Sequence, residues 1–304
     1  MSRRTVQRML TGDAAGLVTE AQEILKAGLA SASWVAVDDT GARHGGRNGY
    51  CTAIGNDNFT HFRSSDTKCR LNFFDHLCAG DERLILNDAA FDHMRRLNLS
   101  GPVIRTLADH PQKLFPDRAA WAAHLDALGL SALTVTPDPA RGATESARWG
   151  TVVETGRLEG TVILSDDAGQ FNAGDLHALC WIHGERLIHK LFAGTERHRA
   201  ARDGAKARVW MFYGLLLGYR RRPGPMRKSW LSTRFDTFFK TRTGHATLDR
   251  QLESLVANKA ELLRVLDHPD IPLNTNQIHA EFRIMPNSWP GTLISRAFLQ
   301  EHSA

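Results

Sequence analysis

Apolar and polar positions alternate along this chain in ways that predict helices and strands in turn. Residues 16–30 carry a helical pattern, and the apolar run Trp34-Val35-Ala36-Val37 after it predicts a strand that ends in Asp38-Asp39-Thr40-Gly41. Residues 50–54 and 59–62 predict two strands around Gly55-Asn56-Asp57-Asn58, where Asn and Asp favour a tight turn and hence a hairpin. From 67 to 130 the spacing becomes helical, with Leu71, Phe74 and Leu77-Cys78 as one stripe and a second near Trp121 and Leu128; residues 82–86 interrupt it as a possible strand. Pro137, Pro139, Arg141-Gly142 and Thr144 read as a loop. Thr161-Val162-Ile163-Leu164 is a second compact apolar run, ending at Ser165-Asp166-Asp167. Asp175 is placed to cap a helix with a stripe at Leu176, Leu179, Cys180, His183, Leu187 and Leu191, and further helices fill most of 200–266. After Pro269 and Pro272 the periodicity dissolves.

Composition narrows the class. The 304 residues, 42% hydrophobic and 23% charged, suffice for a sizeable core in one or two domains, and no window approaches the ~18 apolar residues of a membrane span. Residues 1–10 carry Arg3, Arg4 and Arg8 without the apolar stretch and cleavage site of an export signal, which predicts a cytoplasmic protein and no membrane partner. Four cysteines (Cys51, Cys69, Cys78, Cys180), none in a Cys-x-x-Cys pair, fit reduced thiols.

Charge is unevenly spread. Residues 186–250 hold 16 Lys or Arg against four acids, an excess of +12 in a chain whose net charge is +5, so the remainder sums to −7. Such a basic stretch is the footprint expected for a polyanion, although basic helical faces are also commonly plain solvated surface.

Two runs of apolar residues ending in Asp, at Asp38 and Asp166, are the most informative chemistry. Carboxylates on neighbouring strands can share Mg²⁺, and two such ions support in-line phosphoryl displacement. Asp is also common wherever a strand turns into a loop. His177, Cys180 and His183 could suggest zinc, but three residues, two of them on an apolar stripe, fit core packing better. Ser165 lacks the Gly-x-Ser-x-Gly setting of a hydrolase nucleophile. Trp181, Trp210 and Trp230 fit either a helix core or a base-stacking surface.

Three segments in order resemble the insertion-sequence-66 transposase family. They are Trp34-Val35-Ala36-Val37-Asp38-Asp39-Thr40-Gly41-Ala42-Arg43, then Leu164-Ser165-Asp166-Asp167-Ala168-Gly169-Gln170-Phe171-Asn172, then Cys180-Trp181-Ile182-His183-Gly184-Glu185-Arg186. The resemblance, over about residues 3–276, implies an α/β, ribonuclease-H-like mixed sheet with flanking helices and a large helical insertion. Asp38 and Asp166 would be the first two catalytic and metal-holding acids, with Mg²⁺ or Mn²⁺ as cofactor. The implied organisation is an N-terminal helical remnant (1–30), a core (31–175) with a helical insert at about 80–155, the next helix with the basic insertion (176–268), and a divergent tail (269–304). Arg220, Arg221, Arg222, Arg227 and Lys228 become candidate phosphate contacts. The implied partners are transposon-end and target DNA, with assembly into a homo-oligomer on paired ends and a nucleoid-associated location.

The closing motif of that family, Pro-Leu-x-Thr-Asn-Gly-Ser-Glu with Arg four residues on, is only partly kept. Here it reads Pro272-Leu273-Asn274-Thr275-Asn276-Gln277-Ile278-His279, with Arg283 at the expected spacing. His279 stands at the glutamate position, and a neutral imidazole is a poorer Mg²⁺ ligand than a carboxylate. Glu281 is the catalytic candidate that remains, two positions late and about 200° round a helix. The resemblance therefore implies a DNA strand-cleaving and strand-transferring enzyme, or an inactive remnant that retains only DNA binding, in a copy shortened at both ends.

Overall fold

The computed structural model describes residues 14–44, 47–174, 176–276, 278 and 295–297. They divide between two compact units, one within 1–32, 39–161 and 286–304 and the other within 33–38 and 162–285. The class is mixed α/β. The main sheet follows the order β7-β6-β1-β2-β3-β8, formed by β1 (Trp34–His44), β2 (Arg47–Gly55), β3 (Phe59–Ser65), β6 (Val162–Ser165), β7 (His177–Leu179) and β8 (Ser295–Ala297).

In the first unit, β2 and β3 form the expected antiparallel hairpin, in register from Tyr50↔Ser65 to Gly55↔Thr60. Its turn is closed by Asn56 N–H donating to the Phe59 carbonyl (2.9 Å) and Asn58 N–H donating to Asn56 Oδ1 (2.9 Å). Helix α1 (Ala14–Ser31) buries Ala21, Leu25 and Leu29, one residue per turn, and packs on β3. A Cβ on Gly28 would lie 2.6 Å from the Phe59 ring, so this close approach requires glycine.

Behind the hairpin come α2 (Arg70–Leu77), the two-residue strands β4 (Leu84–Ile85) and β5 (Leu114–Phe115), α3 (Asp88–Arg96), α4 (Gly101–Asp109) and α5 (Arg118–Ala127). They surround α6 (Pro139–Glu154). The loop expected at Pro137 to Thr144 is therefore a helix from Pro139 onward. Asp138 accepts the Arg141 N–H at 3.0 Å and Pro139 sits in the first turn, where its missing N–H costs nothing. Periodicity failed to reveal α6 because it is buried almost all round, polar residues included. Its Arg148 donates to Asp75 Oδ1 (2.7 Å) and to the carbonyls of Asp81 (2.9 Å) and Arg83 (2.5 Å). Leu84, Met94, Leu107, Phe115 and Trp121 fill the adjoining core.

In the second unit, the start of β1 pairs in parallel with β6, and β6 with β7. Helices α7 (Trp181–His189), α8 (Glu196–Arg221), α9 (Pro225–Phe239), α10 (Ala246–Ala257) and α11 (Lys259–Leu262) follow. The helix anticipated from Asp175 starts later. Residues 177–179 are a strand buried at every position, which carries no period-two signature, and Cys180 stands at the N-cap of α7. Asp175 itself lies outside the described residues. Helix α8 buries Ala205, Val209, Phe212, Leu216 and Tyr219, a stripe at three-to-four spacing. Trp181 stacks on Phe212 (5.4 Å) and meets Phe235 edge-on (6.2 Å), while its indole N–H donates to the Leu262 carbonyl (2.9 Å). That buried placement makes Trp181 a core anchor and removes it from the possible base-stacking residues.

Candidate active site

Parallel pairing fixes the two aspartates. The register Trp34↔Val162, Val35↔Ile163, Ala36↔Leu164 pairs the two apolar runs, and Asp38 and Asp166 each come two residues after the last paired position. Neighbouring strands lie about 4.8 Å apart. Strand β6 ends at Ser165, so Asp166 is the first residue beyond it. Asp38, expected at the end of its own strand, is instead the fifth of eleven residues in β1, because β1 continues past the end of β6. Asp38 is buried and Asp166 half-buried.

Each acid is positioned by short-range contacts. Asp166 Oδ1 accepts the Ala168 N–H at 3.1 Å, and the turn closes with Phe171 N–H donating to the Ala168 carbonyl (3.0 Å). The buried Phe171 ring anchors that turn. Asp38 Oδ2 accepts the Thr275 hydroxyl at 3.3 Å, and Thr275 Oγ1 also lies 3.8 Å from Cys180 Sγ. The segment carrying Thr275 is tied to α7 by Trp181 N–H donating to the Leu273 carbonyl (2.9 Å).

One turn into α7, His183 shares the field of both acids. Its hydrogen bond to Cys180 is the main cause that holds the imidazole above its ordinary value; burial opposes this, and the charges of Cys180, Asp38 and Asp166 add to the rise. The Cys180 thiol moves the other way. Burial raises it, but the hydrogen bond and positive field of His183 outweigh that and leave it below the ordinary value. His183 and Cys180 thus form a coupled pair beside the carboxylates.

The zinc triplet His177, Cys180, His183 is split. His177 on β7 is turned to Ser165, with Nε2 at 2.8 Å from Ser165 Oγ, while Cys180 and His183 engage each other on α7. Ser165 is wholly buried, which leaves its hydroxyl unavailable as a nucleophile. Among the described residues, no group of three or more His, Cys, Asp or Glu is arranged to hold a metal. Asp38 and Asp166 are the residues whose carboxylate oxygens could hold a hard divalent cation of the Mg²⁺ type, which commonly takes one or two carboxylates and fills its remaining positions with water and substrate oxygens. Glu281 and His279 lie outside the described residues.

The basic candidates on α8 and α9 separate into two kinds. Arg220 donates to the carbonyls of Pro269 (3.2 Å) and Asp270 (3.1 Å), Arg227 donates to the Gly218 carbonyl (3.1 Å), and Lys228 pairs with Asp267. Arg221 and Arg222 are exposed. Trp210 and Trp230 are half-exposed, and Trp210 meets Tyr213 edge-on at 5.5 Å. Residue patterns had not singled out His183 as a neighbour of the acids, since its place on an apolar stripe suggested core packing. The buried face of α7 is Trp181, Glu185 and Ile188, which leaves His183 and Leu187 on the face of a cleft.

No family model matches the chain, and no solved structure matches it. A curated relative from Sinorhizobium fredii (strain NBRC 101917 / NGR234), named "Uncharacterized protein y4jO", is 38% identical over 260 residues, which cover 86% of this chain and 80% of the relative. Among the described residues, no helix is long and apolar enough to cross a membrane. The identity and coverage place this chain in the same family as that Sinorhizobium fredii protein.

Proposed function

We propose that this chain is a DNA strand-cleaving and strand-transferring core of the transposase type, with a ribonuclease-H-like sheet and with Asp38 and Asp166 as the acids that hold its divalent metal. The observation that carries this reading is the parallel register of β1 and β6, since two acids 128 positions apart in sequence each follow two residues after its last pair. Strand β1 holds Asp38, and Asp166 follows directly on the end of β6, in a turn tied by its own bond to the Ala168 N–H. A mixed sheet with the two aspartates on adjacent strands is what the resemblance to insertion-sequence-66 transposases implies.

Asp38 and Asp166 supply the negative oxygens that would bind Mg²⁺ or Mn²⁺. When bound, such an ion polarises a phosphoryl oxygen and lowers the pKa of the attacking water or hydroxyl. Thr275 keeps Asp38 oriented through its hydroxyl, and the Ala168 N–H does the same for Asp166. Arg221 and Arg222 offer exposed cations for the DNA backbone.

Mn²⁺ titration followed by electron paramagnetic resonance, with nicking of supercoiled plasmid in Mg²⁺ or Mn²⁺, tests the reading. Wild type should bind Mn²⁺ and nick DNA, and Asp166→Asn and Asp38→Asn should lose both. Nicking by Asp166→Asn at the wild-type rate would overturn the assignment. DNA binding without Mn²⁺ binding or nicking in the wild type would leave an inactive remnant as the description.

A further inference from the structure

A cleft of about 450 Å³ opens beside Asp166 inside the second unit. One wall is α7, with Cys180, His183 and Leu187; the facing wall is α10, with Gln251, Ser254 and Leu255. Leu179 and Leu262 add apolar surface, Asn258 adds a carboxamide, and Arg186 and Lys190 bring positive charge. The two helices approach closely at Gly184, where a Cβ would come within 3.2 Å of Leu255 Cδ2. Asn258 Nδ2 donates to Asp167 Oδ2 at 3.1 Å, which fixes the end of α10 to the loop that carries Asp166.

We infer that this cleft is a nucleotide subsite that takes the base and sugar of the nucleotide whose phosphate lies at Asp38 and Asp166. This deepens the strand-cleavage reading and rests on it for the position of the phosphate. The chemistry of the walls selects the ligand class. Leucine side chains offer flat apolar contact for the faces of a base, while Gln251, Ser254 and Asn258 offer donors and acceptors for its edge. The volume falls within the roughly 300 to 1,000 Å³ of small-molecule sites. A bare cation would have no use for the apolar walls. A simple dianion would meet Asp166 and Asp167 with only Arg186 and Lys190 to offset them, so the phosphate end should depend on a divalent cation.

Calorimetric titration of the full chain with the four deoxynucleoside 5′-monophosphates, and with inorganic phosphate as control, tests the inference with and without Mn²⁺. At least one mononucleotide should bind about tenfold more tightly than phosphate, and Mn²⁺ should strengthen it. Ser254→Trp, at an exposed position, should fill the cleft and lose about tenfold in that affinity while Mn²⁺ binding read by paramagnetic resonance stays at the wild-type level. Gln251→Ala adds no bulk and should change the ranking of the four nucleotides, which keeps the test decisive if Ser254→Trp does not fold. Mononucleotides that bind no better than phosphate, or that bind Ser254→Trp as they bind wild type, would overturn the subsite. Mononucleotide binding without Mn²⁺ binding would uphold the cleft and sink the metal reading; Mn²⁺ binding without mononucleotide binding would do the reverse.

Discussion

The Thr275 hydroxyl donates to Asp38 Oδ2 at 3.3 Å, joining residues 237 positions apart in the buried floor of the site. A carboxylate this deeply buried depends on such donors, since an unsatisfied charged group in the interior costs about 1–3 kcal/mol or more. Thr275→Val keeps the shape and removes the donor. It should lower stability by about 1–3 kcal/mol in urea unfolding and weaken Mn²⁺ binding, whereas Thr275→Ser should restore much of both.

Acid should destabilise the first unit before neutral pH is far behind. His61 Nδ1 and His76 Nε2 meet at 2.6 Å in a buried pair. Burial is the main cause that lowers His61 from 6.5 to about 4, with Arg63 adding to it; His76 is lowered well below its ordinary value by burial, His61 and Arg63. His93 is likewise lowered to about 4, chiefly by burial. Folded pKa values below the unfolded one mean that the unfolded chain binds more protons. Stability is therefore fully present above about pH 6.5 and is lost as pH falls towards 4, by on the order of 3 kcal/mol for His61 alone. Thermal unfolding between pH 7.5 and 4.5 should show this slope, and His61→Phe should reduce it, leaving the share of His76 and His93; a midpoint independent of pH over that range would contradict the assignment.

Gly150 marks the tightest backbone approach of α6. A Cβ there would lie 2.2 Å from the Ile85 carbonyl oxygen, an atom that cannot rotate away. Gly150→Ala should cost at least about 1–3 kcal/mol, against a gain of no more than about 1 kcal/mol expected for that change in an open helix. Chemical denaturation of the two proteins compares them directly.

Arginines 220, 221 and 222 should behave differently despite adjacency. Arg220 is committed to the carbonyls of Pro269 and Asp270, so Arg220→Ala should lower stability. Arg221→Ala and Arg222→Ala should leave stability within about 0.5 kcal/mol. If both contact phosphates, each should reduce the slope of log affinity against log salt by about 0.9 in fluorescence anisotropy with duplex DNA. Unchanged slopes would remove them from the proposed phosphate contacts.

Filling the aromatic cluster of the second unit is the task of Trp181. Trp181→Ala removes its contacts with Phe212 and Phe235 and leaves the Leu262 carbonyl without its indole donor. A loss of about 3–5 kcal/mol is expected, read by urea unfolding.

Some of this was legible in the residues alone. The runs before Asp38 and Asp166 announced two strands because short apolar stretches bounded by turn residues have few other solutions, and Asn56 to Asn58 announced the hairpin turn. The helical stripe of α8 could be read because one face is buried and the other is wet. Residues 139–154 and 177–179 escaped because they are buried on nearly every side, and a segment with no solvent face shows no period.

The chain sequence determined which side chains could do chemistry: two acids behind apolar runs and a stretch rich in arginine and lysine. It could not determine that the two runs are neighbours, because parallel pairing joins residues through backbone hydrogen bonds that carry no side-chain signature. Only the tertiary structure paired the runs that lead to Asp38 and Asp166, brought Thr275 to Asp38 and His183 into the field of both acids, and turned Arg220 inward. Each of those outcomes depends on contacts between segments far apart in sequence, and local pattern holds no record of them.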